Sequence, residues 1–195
     1  MILLNEAKDV ENLPEGFYEK YLKPSNICSA YLLHLINDIL DYTEISFQND
    51  LRLVFEPTNI HETLTNVIEL LSLQANLRKI KLLYEILPGV PEIIHTDARR
   101  LKQILFNLAG NALKFTFKGY VKFRLSFKAD EHLIHFEVED TGLGIKEKDK
   151  DKLFHMFGKL EDTKKVNKGG TGLGLVISHN LAKRLSHSNS RGIKV

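Results

Sequence analysis

The sequence has one cysteine, no long apolar run and no excess of either charge. Cys28 alone cannot form a disulfide within the chain, which favours a reducing compartment. No run of about eighteen apolar residues occurs, so no membrane-spanning helix is predicted. The 27 basic residues nearly balance the 25 acidic ones, which gives no reason to expect nucleic acid as a partner. What remains is a chain of 195 residues that can bury one substantial core, with room for a small helical appendage.

Glycine, in contrast, is concentrated near the end, where it fills four of the six positions 169–174. From there, Leu173, Ile177, Leu181 and Leu185 recur at helical spacing, so the pattern predicts a glycine loop that opens a helix. The unpaired N–H groups and partial positive charge of a helix start favour a phosphate. Taken alone, the loop is equally typical of an ordinary surface turn.

A helical region is predicted for the first fifty residues. Residues 24–46 carry a wide apolar stripe at helical spacing, and Pro24 suits a first helical turn. This stripe needs a second helix, and a two-helix part of a dimeric four-helix bundle would supply one. The alternative is that the helix packs on the domain that follows. We therefore predict a partial bundle over residues 1–50 and a second domain over residues 51–195.

The second domain alternates strand and helix patterns. Asn59 and Asp97 are good helix caps, Gly119 is predicted to end the second helix, and residues 120–127 alternate strictly between apolar and polar. A hairpin then leads to Asp140. The predicted elements are strands at 51–55, 80–86, 93–96, 120–127 and 134–138, with helices at 59–78 and from residue 97.

Three motifs in a fixed order carry a resemblance to a known family. Residues 107–116, 140–145 and 170–175 resemble the N box and the two glycine boxes of sensor histidine kinases, within the Bergerat-fold ATPase superfamily. Residues 153–157 are similar to the family's F box, and residues 35–42 to the second helix of its dimerisation bundle. The resemblance implies an α+β fold, a two-layer α/β sandwich with a mixed sheet covered by helices, preceded by a helical-hairpin remnant.

The same resemblance implies Mg·ATP as the ligand. It assigns adenine recognition to Asp140, a Mg²⁺ ligand to Asn111, and a second position near metal and phosphates to Asn107. A solvated surface role for Lys114 is an alternative to phosphate contact. The ATP-binding residues implied are Asn107, Asn111, Lys114, Asp140, Gly142, Gly144, Ile145, Gly170, Thr171, Gly172, Leu173 and Gly174.

Position 107 bears on the type of reaction. In the related ATPases a glutamate stands at that position and activates water, whereas asparagine cannot accept a proton at neutral pH. The resemblance therefore implies phosphoryl transfer to a histidine, in a phosphorelay that continues to a response-regulator receiver domain. A histidine-bearing bundle and a homodimer through residues 24–46 are the other expected partners.

The family's phosphoacceptor motif is absent, so we identify no catalytic residue and expect transfer only in trans. Only His61 is followed by an acidic residue, Glu62, but it lies in the ATP domain and is expected to be a surface histidine near a helix cap. A catalytically inactive ATP-binding or dimerising fragment, or an ATPase that hydrolyses ATP, are the alternatives. Residues 192–195 are predicted to begin a strand that stops, so we expect a fragment of a longer hybrid kinase, cytoplasmic or the cytoplasmic part of a membrane-attached sensor.

Overall fold

The computed structural model describes residues 52–155, 172–186 and 192–195, and the single positions 17, 21, 22, 36 and 43. The chain divides into two compact units, Met1–Asp41 and Tyr42–Val195, and the fold below is that of the second. The predicted bundle helix, apart from residues 36 and 43, lies outside the described residues. Within them, no helix is both long and apolar enough to cross a membrane.

The described elements alternate between strand and helix, as the sequence patterns indicate. Two short 3₁₀ turns, Ala129–Glu131 and Asp151–Phe154, complete them. In chain order the elements are β1 (Glu56–Asn59), α1 (Ile60–Leu77), β2 (Lys81–Ile86), β3 (Ile93–Thr96), α2 (Ala98–Phe115), β4 (Tyr120–Lys128), β5 (Leu133–Asp140), α3 (Glu147–Lys150) and α4 (Gly174–Leu185).

The strands form two small sheets. In the larger sheet the order is β2-β4-β5, with β2 parallel and β5 antiparallel to β4, and β1 pairs antiparallel with β3 in the smaller one. The strict alternation of β4 places Val121, Phe123 and Leu125 on the inner face, where each is at most 1% exposed. The predicted mixed sheet covered by helices is confirmed.

Helices α1 and α2 cover this inner face because each presents an apolar stripe to it. Their buried side chains and those of β4 form one continuous core. A second cluster joins the other side of α2 to α4, with Ile104 packed against Leu173, Ile177 and Leu181. Helix α2 is therefore apolar on two sides. The main core comprises Ile60, Leu64, Val67, Leu71, Ala75, Ile80, Leu101, Leu105, Ala109, Ala112, Leu113, Val121, Phe123 and Leu125.

Both predicted helix caps are confirmed. The Asn59 side chain accepts a hydrogen bond from the Glu62 N–H at 2.9 Å, and Asp97 accepts one from the Arg100 N–H at 3.0 Å. The second carboxylate oxygen of Asp97 also accepts from the Val54 N–H at 3.0 Å. Asp97 thus fixes the start of α2 and the segment before β1 at once.

Three boundary predictions are wrong. Residues 52–55 do not form a strand, because the Val54 backbone is bound to Asp97; β1 starts at Glu56 and contains Pro57, which is tolerated in a sheet of only two strands. Helix α2 ends at Phe115, and Gly119 lies in the following turn with φ +114°. Residues 192–195 are not a strand, since the Ile193 N–H donates to His179 Nδ1 at 3.1 Å.

His179 joins α4 to two neighbouring segments. Its ring lies 4.6 Å from that of Phe154, centroid to centroid, and Gly192 leaves no room for a side chain beside it. Burial, and then the nearby positive charge of Lys183, lower the pKa of His179 below its usual range. The folded protein therefore binds a proton at this ring less readily than the unfolded chain does.

This depressed pKa predicts a pH-dependent stability. As the pH falls below the ordinary histidine value of about 6.5, the unfolded chain takes up the proton first, so the free energy of unfolding should fall. Replacing the imidazole by an uncharged acceptor, His179→Asn, should remove this part of the dependence. Denaturant unfolding at several pH values across that range measures it.

The matched control is His132→Asn, because His132 is exposed and its left-handed backbone tolerates asparagine. That variant should keep the pH dependence of the native chain. An unchanged dependence in His179→Asn would contradict the assignment.

Candidate functional site

Asn107 lies in the middle of α2 and joins it to the start of α4. Its side-chain nitrogen donates to the Gly174 carbonyl at 3.0 Å and to Ser178 Oγ at 3.1 Å. Ser178 is fully buried, so this bond lies between the two helices and away from solvent. The first turn of α4, where the second glycine motif ends, is thereby held against α2.

Asn111 stands one helical turn after Asn107, on the same side of α2. It is half-buried, and its side chain makes no hydrogen bond within the described part of the chain. Its amide oxygen is therefore available to a ligand. Lys114, also half-buried, has its Nζ 5.7 Å from the centroid of the Phe115 ring and takes part in a further interaction.

Asp140 ends β5 with an exposed carboxylate of fixed orientation. Oδ1 accepts from the Gly142 N–H at 2.8 Å and from Thr116 Oγ1 at 3.5 Å. Thr116 is completely buried, so this second donor has little freedom to move. Within the described residues Oδ2 has no hydrogen bond, which leaves one oxygen ready to accept from an amine donor.

The loop after Asp140 is pressed against the end of α2. The Leu143 N–H donates to the Phe115 carbonyl at 3.2 Å, and a Cβ on Gly142 would stand only 2.5 Å from that oxygen. Only glycine fits there. Beyond it, Gly144 has φ +65°, and Leu143 and Ile145 are 53% and 39% exposed. These two side chains form an apolar rim beside the carboxylate.

Helix α4 follows a glycine loop as the sequence pattern predicts, and Leu173 separates its first residue, Gly174, from the left-handed Gly172. Gly172 has φ +73°, and no side chain caps the helix. Leu173 is only 2% exposed, and its carbonyl accepts the first helical hydrogen bond from Ile177 at 2.9 Å. Leu173 therefore anchors the loop by packing, while the first-turn N–H groups from Gly174 onwards, which have no partner within a helix, are available to an anion. The predicted residues Gly170 and Thr171 lie outside the described residues.

Helix α2 brings these parts together. The loop after Asp140 contacts its last residue, Phe115, and α4 contacts it at Asn107. Along a helix these two positions are about 12 Å apart, and Asn111 lies between them. One end of the site thus offers a carboxylate and an apolar rim, and the other a helix start.

The donor set allows one kind of metal site. Among the described residues no group of three or more His, Cys, Asp or Glu side chains could hold a metal ion. A cation here would need most of its ligands from a bound molecule and water. A single amide oxygen such as that of Asn111 suits Mg²⁺, which keeps several waters and phosphate oxygens as ligands.

His61 lies near the cap of α1 as predicted, but it is only partly exposed. It is half-buried, and its Nε2 is buried without a hydrogen-bond partner. That nitrogen is not accessible to a phosphoryl donor in this fold. Positions 156 and 157 of the segment that is similar to the F box lie outside the described residues.

Sequence reasoning missed Thr116 and Ser178, the buried hydroxyl groups that support Asp140 and Asn107. Thr116 closes the motif 107–116, and Ser178 lies between the periodic apolar residues of α4. Neither position stands out by spacing. Their roles depend on which strand end and which helix turn fold against them.

The contact between Asn107 and α4 leads to a test with a matched pair of glycines. A Cβ on Gly174 would stand 2.5 Å from Asn107 Oδ1, so Gly174→Ala should destabilise the protein by about 1–3 kcal/mol. On Gly110, inside α2, a Cβ meets nothing within 4 Å, so Gly110→Ala should stabilise by about 0.5–1 kcal/mol. Denaturant unfolding measures both. Equal effects of the two substitutions would contradict the described contact.

Known proteins with similar sequences include histidine kinases. The chain is similar to hybrid signal transduction histidine kinase B of Dictyostelium discoideum, at 36% identity over 170 residues that make up 86% of this chain and 9% of that protein. It is 35% identical over 168 residues to the aerobic respiration control sensor protein ArcB of Escherichia coli, covering 86% of this chain and 21% of ArcB. The chain thus spans about a tenth to a fifth of the length of these relatives.

Solved structures share the fold. Full-length ShkA in complex with AMPPNP superposes with a TM-score of 0.71 at 32% identity, over 84% of this chain and 33% of that one. The catalytic domain of histidine kinase ThkA gives a TM-score of 0.57 at 25% identity, over 68% and 82%. Residues 96–193, just over half of the chain, match the family described as histidine kinase-, DNA gyrase B-, and HSP90-like ATPase, and the chain belongs to that family.

Proposed function

We propose that the chain binds Mg·ATP between α2, the loop after Asp140 and the start of α4, and passes the γ-phosphoryl group to a histidine. One observation carries this proposal: helix α2 contacts both the loop that orients the Asp140 carboxylate and the first turn of α4. Membership of the family and the likeness to histidine kinases support it.

Asp140 is the proposed reader of adenine. Its Oδ1 is already engaged with Gly142 and Thr116, so Oδ2 would accept from the exocyclic amine of the ring. A guanine presents a carbonyl at that position and would repel the carboxylate. The exposed apolar side chain of Ile145 would contact the face of the adenine ring. Gly142 and Gly144 carry no side chain, so they would leave room for the ring beside Asp140.

The proposed phosphate end lies at α4. The N–H groups of the first turn of α4, from Gly174 onwards, would donate hydrogen bonds to phosphate oxygens, and Gly170, Thr171, Gly172 and Leu173 would form the loop before that turn. Asn111 would supply an amide oxygen to Mg²⁺, with Asn107 nearby, and Lys114 would add charge from α2. The cation would neutralise phosphate charge and fix the orientation of the triphosphate.

The proposed reaction is transfer to nitrogen rather than hydrolysis. Asn107 has no basic group, and its amide nitrogen is engaged with α4, so nothing at this position activates water. A neutral histidine nitrogen needs no base: it would form the new N–P bond while the bond to the ADP oxygen breaks. The protein would contribute position and charge.

The acceptor histidine is proposed to lie on a helical bundle, of another chain or of a longer form of this one. The buried Nε2 of His61 favours an acceptor outside this domain. We further propose that residues 1–50 contribute to such a bundle, with dimerisation through residues 24–46, and that a receiver domain takes the phosphoryl group next.

A second candidate is an inactive ATP-binding or dimerising fragment. The observation that favours it is the absence from the sequence of the family's histidine motif followed by Arg-Thr-Pro. This candidate shares the nucleotide site and differs only in transfer, so the two can be separated by experiment.

For the nucleotide site, the decisive substitution is Asp140→Asn. Asparagine can keep the bond from the Gly142 N–H, but it replaces the free acceptor with a donor that faces the adenine amine. Affinity for a fluorescent ATP analogue with Mg²⁺ should fall about 10- to 150-fold, as expected for a hydrogen bond to a charged group.

Asp130→Asn, in the exposed turn between β4 and β5, is the matched control and should bind as the native chain does. Equal affinity of the two variants for the analogue would refute adenine recognition by Asp140.

Transfer itself is tested by mixing the chain, γ-labelled ATP and a separately expressed histidine-bearing bundle from a related hybrid kinase. We expect acid-labile label on the bundle, no label on the chain, and little free phosphate. Binding of ATP without labelling would favour the inactive fragment. Rapid release of phosphate without the bundle would instead show an ATPase.

A further inference from the structure

Strand β2 is an open edge of the larger sheet. It pairs in parallel with β4, and the N–H groups of Lys81 and Leu87 donate to the carbonyls of Gly119 and Leu125 at 3.0 and 2.9 Å. By the alternation of a parallel ladder, the N–H and C=O groups of Leu82, Tyr84 and Ile86 point away from β4. Within the described residues no strand pairs with them. An extended segment could therefore add to this edge by backbone hydrogen bonds.

A groove runs beside this edge, between β2 and the second half of α1. Its volume is about 520 Å³, and Ile68, Ala75 and Leu82 are among the apolar residues that line it. At the edge itself Tyr84 is 55% exposed, although its position in the register places it on the same sheet face as the buried Phe123. Apolar side chains of an added strand would enter this groove and cover exposed apolar surface.

The charged residues around the groove indicate what kind of segment it would bind. Lys79 and Lys81 line it, no carboxylate does, and neither lysine forms an ion pair in the part of the chain that the structure describes. The carboxylate of β2, Glu85, does not line the groove and is paired with Lys122 at 2.7 Å and Arg124 at 3.3 Å. A second copy of β2 added in parallel and in register would bring Lys81 against Lys81, which disfavours that form of self-pairing. The two lysines, which form no ion pair within the described residues, favour an acidic segment.

We propose that β2 and this groove bind an extended, acidic segment of a partner protein, which adds as a strand to the sheet. The backbone of the segment bonds to Leu82, Tyr84 and Ile86. Its apolar side chains enter the groove, and its carboxylates meet Lys79 and Lys81. This docking surface shares no residue with the nucleotide site, so a partner can be held while the site remains open.

The probe is an acetylated, amidated hexapeptide of alternating glutamate and valine, and the readout is residue-resolved amide hydrogen exchange. Adding the peptide should slow exchange at Leu82, Tyr84 and Ile86. The amides of Leu83 and Glu85, already bonded to β4, should not change. Protection at another surface, or none at concentrations where the peptide is soluble, would overturn the proposal.

Two further experiments distinguish binding by backbone hydrogen bonds from binding by charge alone. N-methylation of every second peptide amide, made in both registers, should abolish binding in one register and spare it in the other. Lys79→Glu with Lys81→Glu should weaken the peptide about tenfold, whereas the control pair Lys118→Glu and Lys128→Glu, exposed lysines at the two ends of β4, should not.

All these variants should bind the ATP analogue as the native chain does, which shows that they are folded. Equal binding of a lysine–valine peptide by the native chain, or dimerisation through β2 in place of peptide binding, would contradict the choice of an acidic partner.

Discussion

The packing of helix α2 on two sides is the constraint on which the rest of the structure depends. One side carries the main core against α1 and β4, and the other packs Ile104 against α4. Between the two apolar sides lie Asn107 and Asn111, residues that are unfavourable inside a helix because their side chains compete for backbone hydrogen bonds. The core on both sides outweighs that local cost, and the two amides are held at fixed positions.

The same packing gives Asn107 two roles that a glutamate would not combine. Its amide nitrogen donates to Gly174 and Ser178, so it fixes the start of α4, where phosphate is proposed to bind. A carboxylate has no hydrogen to donate at neutral pH and would meet the Gly174 carbonyl unfavourably. Asparagine therefore supports the glycine motif and leaves water without a base. The structural contact and the proposed preference for transfer over hydrolysis follow from one side chain.

Much of this fold could be predicted because its signals are local. The alternation of β4, the caps Asn59 and Asp97, and the helix that follows Gly172 depend on neighbours in sequence. The errors arose where tertiary contacts decide: Val54 binds Asp97 instead of a strand, and residues 192–195 meet His179 instead of the sheet. The supporting roles of Thr116 and Ser178 could not be predicted for the same reason. Thr116 depends on its contact with Asp140 at the end of β5, and Ser178 on its contact with Asn107 in a different helix.

Helix α2 is proposed to separate an adenine-reading carboxylate from a phosphate-binding helix start. The decisive experiment is a crystal structure of the chain with Mg²⁺ and AMPPNP. We expect the adenine amine within hydrogen-bond distance of Asp140 Oδ2, the phosphates against the first turn of α4, and Asn111 beside the metal. Adenine bound away from Asp140, or phosphates that do not approach α4, would contradict it.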